Sequence, residues 1–206
     1  MRLWPQGGNL LLTTPSHSKA RSLAAIQIRV DPILTHPQVV DLLREHLAGM
    51  HAESPPDKVY ALDLSALRQP QITFLTAWRA NSDDDQASDA DQLMACGALK
   101  ELSPHHGEIK SMRTSARFLR QGAAQAILTE LRAIARQRGY ERVSLETGTT
   151  PGFDAAVAMY QRFGFVDCGP FGDYREDAFS RFMTLEVANT RMIFVNKTIV
   201  KAKGKT

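Results

Sequence analysis

At 206 residues, with 43% hydrophobic and 23% charged content, the chain suits one globular domain with room for short extensions. No apolar run nears the roughly 20 residues of a membrane-crossing helix, and two cysteines, Cys96 and Cys168, fit a reducing, cytoplasmic setting better than a disulfide framework. The formal charge of +3 and pI of 9.0 invite a nucleic-acid reading, but residues 1–30 and 188–206 carry nine of the 25 basic residues and no acid. That leaves 16 basic against 22 acidic side chains between them, an acidic body that speaks against nucleic acid as partner.

Residues 1–25 are Ser/Thr- and Arg-bearing without acids, as in a transit peptide. The plainer reading is a disordered leader, because no sustained amphipathic helix is visible. Ile26 to Val30 alternates as a first strand. Pro37 opens a helix with Val40, Leu43, Leu47 and Met50 on one face, and Ser54-Pro55-Pro56 closes that unit. A helical turn near Leu62–Leu67 and a strand from Ile72 to Trp78 follow.

Asn81 to Asp91 holds five aspartates and reads as an exposed hairpin loop; it lacks the glycine and terminal glutamate of a calcium loop. Leu93 to Leu99 is the return strand, with Gly97 as a bulge. Glu108 to Met112 is the next strand. The adjacent His105 and His106 diverge on a strand, and no Cys/His spacing suggests a metal site.

Arg113, Arg117 and Arg120 then precede Gly122, which opens an amphipathic helix. Its apolar side is Ala123, Ile127, Leu131, Ile134 and Ala135, and Gly139 stops it. A glycine at a helix start lets an anion approach free backbone N–H groups, where the helix dipole adds positive charge. A simple turn is the alternative. Val143 to Leu145 is a short buried strand, Asp154 to Arg162 a second helix ended by Gly164, and Phe165-Val166 and Phe182 to Val187 the last strands. The body runs from residue 26 to 187; residues 188–206 form a basic tail in which Ile193-Phe194-Val195 could add a strand. Early hairpins followed by alternating strands and helices predict an α/β fold with a mixed sheet covered on both faces.

The segment Gly122–Arg138, the run SLET at Ser144–Thr147 and AAVAMYQRFGF at Ala155–Phe165 resemble the core of the GNAT N-acetyltransferase superfamily. Gly122 and Ala124 match the last two fixed positions of its phosphate loop; Leu119 departs from the usual Gln or Arg. CGALKEL, GEIKSMRTS, GYERVSLETG and the Tyr174–Met183 segment extend the likeness to a bacterial subgroup of acetyltransferases, over about Ile26 to Leu185. The resemblance implies a mostly antiparallel sheet with one splayed parallel strand pair, Glu108–Thr114 beside Val143–Glu146, and acetyl-CoA as cosubstrate in the splay, with no metal.

In that frame the backbone of Met112, Arg113 and Thr114 pairs with the pantetheine. Amides of Arg120, Gln121, Gly122, Ala123, Ala124 and Gln125 hold the pyrophosphate, and Glu146 and Thr147 flank the cofactor. Tyr174 is placed at the acceptor. Phe153 stands where many relatives carry a cofactor-binding Asn, which implies stacking or packing in its place.

Acetyl transfer to an amine needs a neutral amine, a stabilised oxyanion and a protonated leaving thiolate. Strand N–H groups near Met112 suit the oxyanion, and Tyr160, at the family's tyrosine position, suits the acid. Its plainer reading is core packing. Glu108 is the candidate base, with a strand-face ion pair to Lys110 as the plainer reading; Glu146 competes for the role, and many relatives need no dedicated base. The functional expectation is an N-acetyltransferase acting on a small amine or amino-acid-like acceptor through a ternary complex. The alternative is a CoA-binding sensor without turnover. A homodimer is compatible with the sequence but not specified by it.

Overall fold

The computed structural model describes residues 26–53, 64–79 and 91–187. The expected leader, the Ser54-Pro55-Pro56 break, the aspartate-rich loop up to residue 90 and the basic tail lie outside these residues.

Seven strands, β1 (Ile26–Val30), β2 (Ile72–Arg79), β3 (Gln92–Ser103), β4 (His106–Thr114), β5 (Arg142–Gly148), β6 (Val166–Asp167) and β7 (Ser180–Glu186), form one sheet. Their order is β1-β2-β3-β4-β5-β7-β6. Every neighbouring pair is antiparallel except β4 with β5. The sheet is mixed, as the order of elements predicts, and mostly antiparallel with one parallel pair, as the family resemblance implies. Helices α1 (Pro37–Glu53) and α2 (Leu64–Leu67) precede β2, α3 (Ala123–Gln137) crosses from β4 to β5, and α4 (Asp154–Phe163) follows β5.

Alternation along β2 divides the core in two. Phe74 and Trp78 point to one face, where Leu34, Val39, Leu42, Leu43 and Leu67 bring α1 and α2 against the sheet. Leu75 and Ala77 point to the other, against Ile127, Leu128, Leu131 and Ala135 of α3 and Val157 and Tyr160 of α4. Helices therefore cover both faces. The α3 stripe is as expected, with Leu128 added and Ile134 only partly buried. The α1 stripe is rotated by one position: Val39, Leu42 and Leu43 are its buried residues, while Val40 is half-buried. Periodicity alone places it at Val40 because Val39-Val40 and Leu42-Leu43 are apolar doublets, and the helix settles the doublet by which member meets the sheet.

The irregularity expected at Gly97 is found in the partner strand. Cys96 pairs with Arg113 and Ala98 with Lys110, so Ser111 and Met112 together face the single residue Gly97. Ser111 takes φ 53°, the left-handed backbone that releases the extra residue. Gly97 is required opposite it. A Cβ there would lie 2.4 Å from Met112 Sδ and 2.7 Å from Ile127 Cγ2, so the glycine lets the bulge and α3 both close onto the sheet.

Candidate active site

The parallel pairing of β4 and β5 runs only from His106 opposite Arg142 to Ile109 opposite Leu145. Beyond it β4 continues to Thr114 on β3 alone, and β5 continues to Gly148 on β7 alone. The two strands splay, and the β4 edge from Lys110 onward is left without a β5 partner. A cleft opens there, walled by Lys110, Ser111 and Met112 of β4, Glu146 and Thr147 of β5, and Phe153, Ala156 and Tyr160 below. His46 of α1 and Tyr174 of the β6–β7 connection close its other side.

The start of α3 lies downstream of the same strand. Gly122 is the residue before the helix, at φ 84°, and no side chain caps the end. Arg120 is also left-handed, at φ 61°. The N–H groups of Ala123, Ala124 and Gln125 are therefore among the first-turn donors that an α-helix cannot satisfy internally. A Cβ at Gly122 would meet nothing nearer than Ile26 Cδ1 at 4.0 Å, so backbone conformation, not space, demands glycine. Ala123 packs into the core, and Arg120, Gln121 and Gln125 are exposed beside the turn. The Gln121 side-chain amide donates to the Arg117 carbonyl at 3.2 Å, tying the turn to itself. Leu119, which breaks the expected loop pattern, is exposed.

Tyr160 is buried in α4, edge-on to Phe165 at 5.7 Å between ring centroids. Its ring is a core element, and its residue also lines the cleft. Burial, reinforced by the Glu146 carboxylate, pushes the phenol well above its ordinary range, so it is held protonated. Glu146 in turn has its pKa raised, first by burial and then by Asp177 and Glu108; Ser180 and Lys110 pull the other way.

Glu108 is almost fully buried and already engaged. Its Oε1 accepts from Lys110 Nζ at 2.6 Å and from the Tyr174 hydroxyl at 2.5 Å, and Lys100 Nζ stands 4.0 Å from Oε2. Lys110 also donates to the Tyr174 oxygen at 2.7 Å. The ion pair weighed against a catalytic Glu108 is thus present, and the tyrosine placed at the acceptor ties the β6–β7 connection to it. Phe171 and Phe182 pack on the Tyr174 ring.

Phe153 lies over the end of β5: a Cβ on Gly148 would sit 2.3 Å from its ring. The aromatic in place of the amide is therefore packed on backbone and faces the cleft. Thr147 is buried in the same wall, and Thr114 ends β4 opposite Ala95.

His46 was not legible in the sequence. It shares a cleft wall with β4 only because α1 packs across the sheet. Burial and then the Arg113 guanidinium lower its pKa to about 4, so it is neutral at physiological pH. Cys96 is fully buried with its thiol pushed up to about 12 by burial, an inert side chain. Among the described residues no group of three His, Cys, Asp or Glu is placed to hold a metal ion. No helix there is long and apolar enough to cross a membrane.

Comparison with known proteins agrees with this fold. The model of the acetyltransferase (GNAT) family matches residues 38–165. YsnE of Bacillus subtilis, an uncharacterized N-acetyltransferase, is 50% identical over 159 residues, covering 77% of this chain and 98% of that protein. YedL of Escherichia coli, likewise uncharacterized, is 45% identical over 152 residues, covering 74% and 89%. A crystal structure from Klebsiella pneumoniae, of a protein assigned as an acyl-CoA N-acyltransferase, superposes with TM-score 0.63 at 25% identity, over 80% of this chain and 99% of that one. The chain belongs to the acetyltransferase (GNAT) family and is an acetyl-CoA-dependent N-acetyltransferase.

Proposed function

We propose that the chain acetylates the amine of a small molecule by direct attack, with acetyl-CoA and acceptor bound together in the β4–β5 splay. The observation that carries this is the convergence of an unpaired β4 edge, a protonated buried tyrosine and a carboxylate of raised pKa on one cleft. The acyl donor fits the residues present. The uncapped, glycine-initiated start of α3 suits a pyrophosphate, and the free β4 edge at Met112–Thr114 suits the amides of a pantetheine arm. Bound there, acetyl-CoA supplies an activated thioester.

The chain's own groups supply the rest. Glu146 is the better base than Glu108: burial raises its pKa, which strengthens it as a proton acceptor, whereas Glu108 already accepts two hydrogen bonds on one oxygen. Glu146 takes a proton from the acceptor ammonium, directly or through one water, freeing the lone pair that attacks the thioester carbon. A β4 backbone N–H at the bulge donates to the oxygen on which charge develops. As the C–N bond forms and the C–S bond breaks, Tyr160 gives its proton to the departing sulfur; Glu146, having passed its first proton to solvent, takes the second from the nitrogen and returns it to the tyrosinate. Desolvation keeps the phenol protonated until that moment.

The test is thiol release from acetyl-CoA across a panel of amines and amino acids, on the wild type and on Tyr160→Phe. The Tyr160 hydroxyl makes no hydrogen bond to another described residue, so the variant should fold and bind CoA normally while turnover falls by about 10²–10⁴-fold. Full activity in Tyr160→Phe would remove the acid assignment. Tight CoA binding with no thiol release from any amine, in either form, would favour a CoA sensor on the same fold.

A further inference from the structure

The cleft and its α1 wall hold polar groups that neither the acid, the base nor the phosphate turn uses. Arg113 follows the bulge in β4. Its backbone faces the splay, while its side chain goes to the α1 side of the sheet, where a Cβ on Gly49 would stand 3.8 Å from Nη1. The guanidinium has no carboxylate partner among the described residues, and its Nε is buried with no hydrogen-bond acceptor. Ser111, also in the bulge and lining the cleft, is buried, and its hydroxyl oxygen likewise has no partner.

Leaving such donors unmade costs about 1–3 kcal/mol apiece, more for a charged group. Native folds carry few of them, and they call for a physical reason. Two side chains around one bulge, both unsatisfied and both of the donor type, match a missing acceptor that is shared. The third wall is His46, one turn from Gly49 on α1, a neutral imidazole able to donate one hydrogen bond without competing for negative charge.

We propose that Ser111, Arg113 and His46 form an anion-binding subsite that takes the carboxylate of the acceptor, so that the amine acetylated belongs to an amino-acid-like zwitterion. The functional meaning of this subsite rests on the acetyl-transfer reading above. The charge layout is complementary to such a molecule. Glu146, on β5, receives the ammonium, and the unpaired guanidinium on the α1 side receives the carboxylate. The guanidinium goes to the α1 face of the sheet, opposite the face that α3 covers. Guanidinium and carboxylate pair through two parallel N–H donors, and a hydroxyl and an imidazole N–H fill the remaining lone pairs.

The test uses the CoA complex and two matched series: the N-acetyl derivatives of glycine, leucine, methionine and phenylalanine, each as free acid and as carboxamide. Calorimetry on the wild type should show at least one acid binding tenfold or more tightly than its amide. Arg113→Gln should abolish that preference, and Arg113→Lys should retain part of it, each measured with CoA saturating. The ligand-free melt of Arg113→Gln should not fall, because no protein partner is lost. Ser111→Ala, which removes only the hydroxyl, should narrow the preference several-fold and serves if Arg113→Gln does not fold.

Equal binding of acids and amides, no binding of either series, or a preference that survives in Arg113→Gln overturns the subsite. The two readings fail separately. Arg113-dependent binding of acids without thiol release from any parent amino acid leaves the subsite standing and sinks acetyl transfer. Thiol release with amines and amino-acid amides as good as the acids does the reverse.

Discussion

Replacing Gly97 by alanine tests whether the β4 bulge, and with it the geometry of the cleft, depends on close packing from β3. The added methyl would lie 2.4 Å from Met112 Sδ and 2.7 Å from Ile127 Cγ2, both inside any real carbon contact. Met112 can turn its flexible chain aside. Ile127 cannot, since its branched Cγ2 is fixed on α3 with one dominant rotamer and the residue is fully buried. Overpacking of this kind costs about 1–3 kcal/mol. Against it, removing a glycine from the unfolded chain returns about 0.4–1 kcal/mol.

The clash outweighs the gain, with a net loss of up to about 2.6 kcal/mol, or up to roughly 10 °C in melting temperature for a domain of this size. Because the methyl pushes on the bulge itself, CoA affinity should fall as well, by about tenfold, in a variant still fully folded at the assay temperature. Calorimetry for CoA and a thermal melt are the assays. Adding Met112→Ala should recover part of both losses, a non-additive cycle expected of residues in contact. An unchanged melt and unchanged CoA affinity in Gly97→Ala would refute the argument that this glycine holds the bulge in place.

Gly122→Ala and Gly122→Val should both weaken CoA binding, because φ 84° strains any residue with a Cβ even though the space is open. Leu119→Ala should leave it unchanged; calorimetry that found Gly122→Val normal would remove the phosphate site. Gly148→Ala should displace the Phe153 ring 2.3 Å from the new Cβ and raise the KM for acetyl-CoA, measured by thiol release. His46 has a folded pKa of about 4 against an ordinary 6.5, so the native state binds fewer protons than the unfolded one between those values. Stability should therefore rise from pH 4 to pH 6.5 by up to about 3 kcal/mol, and His46→Gln should flatten that rise in denaturant melts. Glu146 has the opposite sign: its raised folded pKa makes its contribution favourable at low pH and lost as pH rises through that pKa, and Glu146→Gln should remove the acid limb of the rate profile. Deleting residues 1–22 and 190–206 should leave a cooperative melt; loss of folding would overturn the assignment of residues 26–187 as the body.

Much of the molecule was legible in one dimension. Local chemistry specifies α3 from its stripe, its glycine start and the stop at Gly139, and it specifies α4 from Asp154 to Gly164. The proposed phosphate turn lies within about eight residues of chain, so its parts are neighbours whatever the rest does. Lys110 beside Glu108 follows from the two-residue period of a strand.

The remainder depends on which elements pack together. The extra residue of the bulge belongs to β4 and not to β3, because register is a property of two strands and Gly97 alone cannot say which one is longer. The α1 stripe turns on which member of each apolar doublet meets the sheet. Tyr174 reaches Glu108 across 66 residues, and that contact, which occupies the expected base, becomes possible only when the β6–β7 connection folds back over β4. His46 enters the cleft, and Arg113 goes without a carboxylate among the described residues, for the same reason. Both are set by how α1 crosses the face of β4, and no local pattern records a crossing.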